Sequence, residues 1–223
     1  MLLRNPPAAH NGVRFIGPNL EITTTRVFNF LKSSPMLSYQ HAYKLIHDRI
    51  HWNIAPDTLR ESVRRMKGDM RRRLNGEVVE AFLEHEHEIN CTGLPGFDDQ
   101  TVVFRAAAGL LLPVRPTAIV AADDKFRVLT TLGWSALGMS DYQIRLWMTV
   151  YDDALFSLTD FRNAEGIFTL FPKEKGERGF MMWRRGDYDL VSRGELNDQF
   201  DMLATAMTEA ERHYDQWKRD RGL

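Results

Sequence analysis

The chain has 223 residues, of which 43% are hydrophobic and 26% are charged, and its formal net charge is -1. This composition excludes a disordered chain, and the single cysteine, Cys91, excludes an internal disulfide framework and suits a reducing cytoplasm. No apolar run approaches the roughly 18 residues of a membrane span, and we expect no secretory signal at residues 1–7.

The small net charge conceals an uneven distribution along the chain. Residues 1–75 contain 13 Lys and Arg against 5 Asp and Glu, a net charge of +8, whereas residues 76–223 have a net charge of -9. A basic front half favours binding to a polyanion, and an acidic rear half favours solubility. The alternative is a fluctuation of charge that has no functional meaning.

The first predicted elements are a short strand over residues 13–16 and a helix over residues 24–33 that ends before Pro35. A second helix is predicted over residues 39–49, with Ser38 as its N-cap. Apolar residues recur on it at helical spacing and predict one buried face. They are Tyr39, Ala42, Tyr43, Ile46 and Ile50.

A third helix is predicted over residues 57–74. Pro56 suits the first turn of a helix, and an acidic residue such as Asp57 suits its positive end. Asn75-Gly76 is typical of a helix end.

A fourth helix is predicted over residues 77–88, with an acidic outer face. The loop at residues 89–100 contains Gly and Pro and predicts a domain boundary. The sequence therefore predicts a basic domain over residues 1–88 and an acidic domain over residues 101–223.

The rear half predicts mixed secondary structure, so the expected fold class is α+β and mainly helical. Strands are predicted over residues 101–104 and 117–121. Helices are predicted over residues 125–132 and over residues 141–156, the latter capped by Ser140. A hairpin over residues 167–171 and 179–183 is followed by a long helix over residues 195–219, with Phe200, Leu203, Ala204 and Met207 on one side.

The predicted third helix combines an apolar stripe with a cationic one. Each residue advances by about 100° around a helix, which aligns Leu59, Val63, Met66, Met70 and Leu74 toward a core. Arg60, Arg64, Lys67 and Arg71 form a second stripe about 90° away, and Arg65 and Arg72 widen it. Seven Lys and Arg so close together repel one another, and a phosphate backbone would relieve that repulsion. The alternative is a solvated helix face.

Residues 20–74 resemble the winged-helix output domain of OmpR-type response regulators. The pieces that carry the resemblance are a short first segment, a helix that leads to a proline-marked turn, a helix that ends in Trp, and a basic third helix. They correspond to residues 20–23, 27–31, 38–52 and 58–67. The match covers about a quarter of the chain, and each motif is degenerate.

The resemblance implies a winged-helix or helix-turn-helix-like N-terminal domain that binds DNA. It implies contacts from Thr58, Arg60, Glu61, Arg64, Arg65 and Lys67, to which the cationic stripe adds Arg71 and Arg72. We expect no phosphoacceptor receiver domain before the module, and residues 77–88 stand where that family has its hairpin wing, so phosphorelay signalling is not implied. The hairpin at residues 167–183 could supply a wing.

A metal-dependent nuclease is the main alternative. Asp99, Asp123 and Lys125 resemble the loose D…(D/E)-x-K arrangement, in which two carboxylates hold Mg²⁺ and a lysine positions water. The bland interpretation of Asp123 and Lys125 is a strand that ends in a polar turn.

Two histidine clusters also resemble metal sites. His47 and His51 lie four residues apart, but Asp48 between them is shorter than the Glu of the zinc helix H-E-x-x-H, and we expect these histidines to flank the turn instead. His85 and His87 point about 200° apart on a helix, which argues against shared ligation with Cys91.

The sequence therefore predicts a cytoplasmic transcriptional regulator that binds double-stranded DNA in a sequence-specific manner. The basic helix at residues 57–74 would enter the major groove. The expected assembly is a homodimer, with transcription machinery as a further partner, and neither a cofactor nor a membrane is expected. A third possibility is an interaction protein whose basic front meets an acidic partner or its own acidic rear.

Overall fold

The structure, a computed structural model, describes residues 6–33, 39–97, 101–106 and 109–222. Its fold class is α+β and mainly helical, as predicted. The helices are α1 (Ala9–Phe15), α2 (Leu20–Lys32), α3 (Gln40–Trp52), α4 (Pro56–Arg64), α5 (Asp69–Ile89), α6 (Asp141–Tyr151) and α7 (Arg193–Arg219). The strands are β1 (Gly96–Phe97), β2 (Val102–Arg105), β3 (Leu111–Val114), β4 (Ala118–Ala122), β5 (Lys125–Leu132), β6 (Glu165–Leu170), β7 (Lys173–Glu174), β8 (Glu177–Arg178) and β9 (Met181–Arg184).

A five-stranded sheet of order β1-β4-β5-β6-β9 forms the middle of the fold. The β5–β6 pair is parallel and the other pairs are antiparallel. Because parallel strands need a crossover connection, α6 and the π-helical stretch Asp152–Phe156 lie between β5 and β6 in the chain. The β2–β3 and β7–β8 pairs form two small separate hairpins.

Each face of the sheet is covered by helices, because successive side chains of a strand point to opposite faces. Ala118 and Val120 of β4 join the core formed with α3, α4 and α5, whereas Ile119 joins the core formed with α1, α2, α6 and α7. Both cores contain residues from before and after the loop at residues 89–100. Residues of both predicted domains therefore contribute to each core.

The strand predicted over residues 13–16 is wrong, because these residues belong to the end of α1 and its C-cap. Ala9 and Val13, one helical turn apart, are buried in the core. The amide of Gln143 on α6 donates to the main-chain oxygens of Val13 and Ile16, at 3.3 and 2.7 Å. This side chain adds hydrogen bonds at the end of a helix, where main-chain carbonyls lack helical partners.

The helix predicted over residues 125–132 is also wrong, since this segment is β5. The strand lies between β4 and β6, and its residues 128–132 are all buried. A strand covered on both faces has a continuous apolar run without alternation, and such a run does not distinguish a strand from a helix.

Other predicted elements are confirmed. Ala42, Ile46 and Ile50 form the buried face of α3, and Ser140 caps α6 in a full capping box with Gln143. The predicted hairpin is the antiparallel β6–β9 pair, and α7 is the long C-terminal helix. Ser38 and Pro35 lie outside the described residues. Within the described part of the chain, no helix is both long enough and apolar enough to cross a membrane.

Candidate nucleic-acid interface

The segment predicted as one helix over residues 57–74 contains a break, so that prediction is wrong. Helix α4 ends at Arg64, and α5 begins at Asp69 after a turn. Gly68 precedes α5 with φ +88°, a conformation that favours glycine. The predicted apolar stripe holds only in its first part: Leu59, Val63 and Met66 are buried, whereas Met70 is 51% exposed.

The predicted helix end at Asn75-Gly76 is instead inside α5, which continues through the predicted fourth helix. The Asn75 side chain is fully buried; its Oδ1 accepts a hydrogen bond from the Ala42 amide at 2.9 Å, and its Nδ2 donates to the Arg71 oxygen at 2.9 Å. Gly76 allows a close approach, since a Cβ there would lie 3.0 Å from Val63 Cγ1.

Helix α4 runs back alongside α5. Val63 lies beside Gly76, and Arg60, further from the turn, lies beside Glu80. Arg60 Nε is 3.0 Å from Glu80 and its Nη1 is 3.1 Å from Asp57. The hydrogen bonds to Glu80 raise the pKa of the Arg60 guanidinium further above its usual value. Arg60 is therefore held by the protein's own carboxylates.

Arg64 and Arg65 share Glu61 as an ion-pair partner at the end of α4. The distances are 3.4 and 2.9 Å, and the two arginine side chains are 72% and 78% exposed. Hydrogen bonds from Arg65 lower the pKa of Glu61. Exposed pairs of this kind contribute little to stability, so a phosphate can replace Glu61 at small cost.

Lys67 is exposed on the turn between α4 and α5, and Arg71 is exposed at the start of α5. Arg72 forms an ion pair with Asp69. Arg73 Nη2 contacts the sulfur of Met70 at 3.1 Å. We call the surface formed by these cations and the end of α4 the basic corner. It consists of Arg64, Arg65, Lys67, Arg71, Arg72 and Arg73.

The structure brings most of the predicted contact residues together, but not all. Arg64, Arg65, Lys67, Arg71 and Arg72 lie in the basic corner, with Glu61 as a partner. Thr58 and Arg60 belong to the first part of α4, which has 9 residues, and Thr58 lies about 10 Å along the helix from the turn. Arg73 was not among the predicted contacts, although it is one of the seven Lys and Arg on which the prediction of a DNA-binding helix depends.

Beyond the basic corner, the exposed side chains of α5 become acidic. Glu80, Glu84 and Glu88 are exposed, and Glu86 is bound by Arg49 at 2.9 Å. The positive surface of α5 is thus confined to its N-terminal turns. The N-terminal residues of a recognition helix are the ones that contact base edges.

The small β7–β8 hairpin lies next to α5 one turn after Arg73. Lys173 Nζ is 2.7 Å from Glu77 of α5, and Arg178 Nε is 3.6 Å from the same carboxylate. Arg178 is buried and its Nη1 donates to three main-chain oxygens, which fixes the hairpin to the sheet. The hairpin tip carries Lys175, which is exposed and has φ +51°.

Two residues of the predicted nuclease site, Asp123 and Lys125, lie at the turn between β4 and β5. Asp123 has φ +54°, and Lys125 Nζ lies 3.9 Å from Glu165. Asp99 lies outside the described residues. Among those that are described, no three His, Cys, Asp or Glu side chains are grouped to hold a metal ion.

The second histidine cluster is also dispersed. His85 Nδ1 is 2.8 Å from Glu88 and its ring stacks on Phe180. Cys91 is buried, and burial raises the pKa of its thiol to about 12. This thiol is therefore protonated at neutral pH and is a poor nucleophile.

The amino-acid sequence matches no protein-family model and no curated protein. The resemblance of residues 20–74 to a winged-helix output domain therefore depends on the degenerate motifs alone. The geometry and charge of the basic corner are the features of the described structure that indicate a function.

Proposed function

We propose that the protein binds a nucleic acid through the basic corner, and that the ligand is double-stranded DNA. The observation that carries this proposal is the convergence of six Lys and Arg on the end of α4, the turn after it and the first turns of α5, where Glu61 and Asp69 are the carboxylates paired to them among the described residues. A surface with this excess of cations is stabilised by a polyanion that releases counterions on binding.

The two helices and their turn suit DNA recognition in a specific way. Helix α4 supports the first turns of α5, as the first helix of a helix-turn-helix supports its recognition helix. Arg71 and Arg73 project from the N-terminal turns of α5, where guanidinium groups can contact phosphates or guanine edges. Arg64, Arg65 and Lys67 on the turn would contact the phosphate backbone, which positions the protein without sequence information.

The acidic part of α5 limits how much of this helix can enter a groove. Glu80 and Glu84 would repel phosphates, so contact is expected to end near Arg73. The β7–β8 hairpin beside Glu77 would act as a wing, and its Lys175 would contact the DNA phosphate backbone. Under this proposal the protein is a DNA-binding regulator. Dimer formation and contact with transcription machinery remain predictions.

Salt-dependent binding to duplex DNA tests this proposal. The logarithm of the binding constant should fall with the logarithm of salt concentration, with a slope of about -5 if the six cations of the basic corner each contact a phosphate and about -6 if Lys175 also does. The double variant R64A/R65A should make the slope shallower by about 1.8, and R71A/R73A should do the same.

A matched control removes the same charge elsewhere. Arg193 and Arg219 lie on α7, which packs on the opposite face of the sheet from α5, and R193A/R219A should leave DNA affinity unchanged. Equal losses in the control and corner variants would contradict the proposal. Binding to an acidic protein but not to duplex DNA would support the interaction-protein alternative.

A further inference from the structure

Two histidines on α3, outside the basic corner, face each other. His47 and His51 are separated by one helical turn; His47 Nε2 lies 2.5 Å from His51 Nδ1, and the rings are nearly perpendicular at 87°. Both side chains are partly buried, and that of His47 is 21% exposed.

The second nitrogen of each ring contacts an atom that can only accept a hydrogen bond. His47 Nδ1 lies 3.3 Å from the Asp48 carboxylate, and His51 Nε2 lies 3.0 Å from the main-chain oxygen of Ile119. Lys44 Nζ binds the same carboxylate at 2.8 Å. Carboxylate and carbonyl oxygens accept hydrogen bonds, so these contacts favour the tautomer of each ring that has its N–H on the outer nitrogen.

These contacts leave two basic nitrogens directed toward one another. Two such lone pairs repel at 2.5 Å unless a cation lies between them. This is also the arrangement of histidines that bind metals, in which the other ring nitrogen donates to a carboxylate or to a main-chain carbonyl. A cation shared by the two facing nitrogens is therefore compatible with these contacts of both rings.

We propose that His47 and His51 bind a divalent transition-metal ion of the zinc class through Nε2 and Nδ1. Imidazole nitrogens select such ions over Mg²⁺ and Ca²⁺, which prefer oxygen ligands. A zinc ion bonded to both nitrogens at about 2.0–2.1 Å would separate them to about 3.3 Å, so a small rotation of the partly exposed His47 ring is sufficient.

Neighbouring residues hold His51 in this orientation. A Cβ at Gly96 would lie 2.3 Å from His51 Cδ2, so glycine leaves the space that this ring occupies. Since two protein ligands leave coordination positions for water, the ion is expected to exchange with solvent. Its binding would connect α3 more firmly to β4 through His51 and Ile119.

Thermal unfolding of the full chain with added metal tests this inference. After treatment with a chelator, ZnCl₂ should raise Tm by several degrees and saturate near one ion per chain, whereas MgCl₂ should not. His47→Gln and His51→Gln should each abolish the zinc effect. His85→Gln and His87→Gln are matched controls on α5 and should retain it.

The opposite results would overturn the site. No zinc effect on the wild type, or an equal effect in wild type and in His47→Gln, would exclude this pair as the ligands. If His51→Gln fails to fold, His47→Gln is sufficient, because its side chain is nearer the surface. Long-range ¹H–¹⁵N NMR spectra provide a second measurement: ring signals that do not move on zinc addition would show that the shared cation is a proton only.

Discussion

The guanidinium of Arg60 donates three hydrogen bonds to the carboxylate of Glu80, from Nε at 3.0 and 3.1 Å and from Nη2 at 3.0 Å. This ion pair joins α4 to α5 at a point away from the basic corner. Together with the contact from Nη1 to Asp57, it engages all three nitrogens of a residue that the sequence predicted as a DNA contact.

Arg60→Ala is therefore expected to leave the salt dependence of DNA binding unchanged. Its guanidinium already has two carboxylate partners in the free protein, so a phosphate gains little there. The slope of affinity against salt should match the wild type, in contrast to R64A/R65A. A slope shallower by about 0.9 would mean that Arg60 contacts a phosphate.

Asn75→Ala is expected to destabilise the fold by about 2 kcal/mol, because it leaves a buried donor without its acceptor. The Ala42 amide lies in the first turn of α3, where main-chain N–H groups lack helical partners, and Asn75 supplies one. Urea unfolding measures the change. Asn29→Ala, at an exposed position of α2, is the control and should be neutral or slightly stabilising.

Gly96→Ala is expected to displace the His51 ring, because the new Cβ would lie 2.3 Å from His51 Cδ2. The cost should be about 1–3 kcal/mol, as for other overpacked sites, and the zinc effect should weaken with it. Gly194→Ala on α7 meets no atom within 4 Å and serves as the control. Unchanged stability in both variants would show that His51 moves aside without loss.

The stability of the protein should fall in mild acid because of His10. Burial and, second, the charge of Arg14 lower the pKa of His10 from 6.5 to about 4. Between these values the unfolded chain binds a proton that the native protein does not, so the free energy of unfolding decreases as pH falls from 6.5 to about 4.

The size of this effect is limited by the solvent that reaches the ring. A shift of this size corresponds to at most about 3 kcal/mol, and His10 is partly accessible beside Trp134. His10→Gln should flatten the dependence of stability on pH in this window, as followed by urea unfolding at several pH values. His41→Gln, at an exposed position of α3, should not change it.

Local signals predicted several elements correctly. The spacing of Ala42, Ile46 and Ile50 identified α3, and Ser140 identified the start of α6, because both signals depend on a helix and its own cap. The charge of residues 60–73 also identified the surface on which the proposed function depends. These features need no knowledge of distant contacts.

The apolar residues of the predicted third helix recur at helical spacing on both sides of Gly68. This periodicity conceals the break between α4 and α5. Glycine is the residue best able to adopt φ +88°, the value found here. Conversely, Asn75-Gly76 suggested a helix end, but both residues lie inside α5. The Asn75 side chain accepts a hydrogen bond from the Ala42 amide, and Gly76 allows Val63 to lie close to the helix. Both partners are distant in sequence, so the local pattern could not reveal them.

The four-residue spacing of His47 and His51 predicts that the two side chains share one face of a helix. The sequence did not show that Ile119, 68 residues away from His51, would accept the hydrogen bond that orients the ring. The direction of each nitrogen depends on such tertiary contacts, whereas the spacing gives only the shared helix face.

The pairing of α2 with α7 has a consequence for how the chain folds during synthesis. The two helices run parallel, with Thr24 beside Glu209 and Lys32 beside Trp217, and the first of these pairs spans 185 positions. Val27 therefore leaves the ribosome long before the helix that covers it. The nascent chain must keep this apolar surface from aggregating until translation reaches α7, and we expect it to depend on chaperones in that interval.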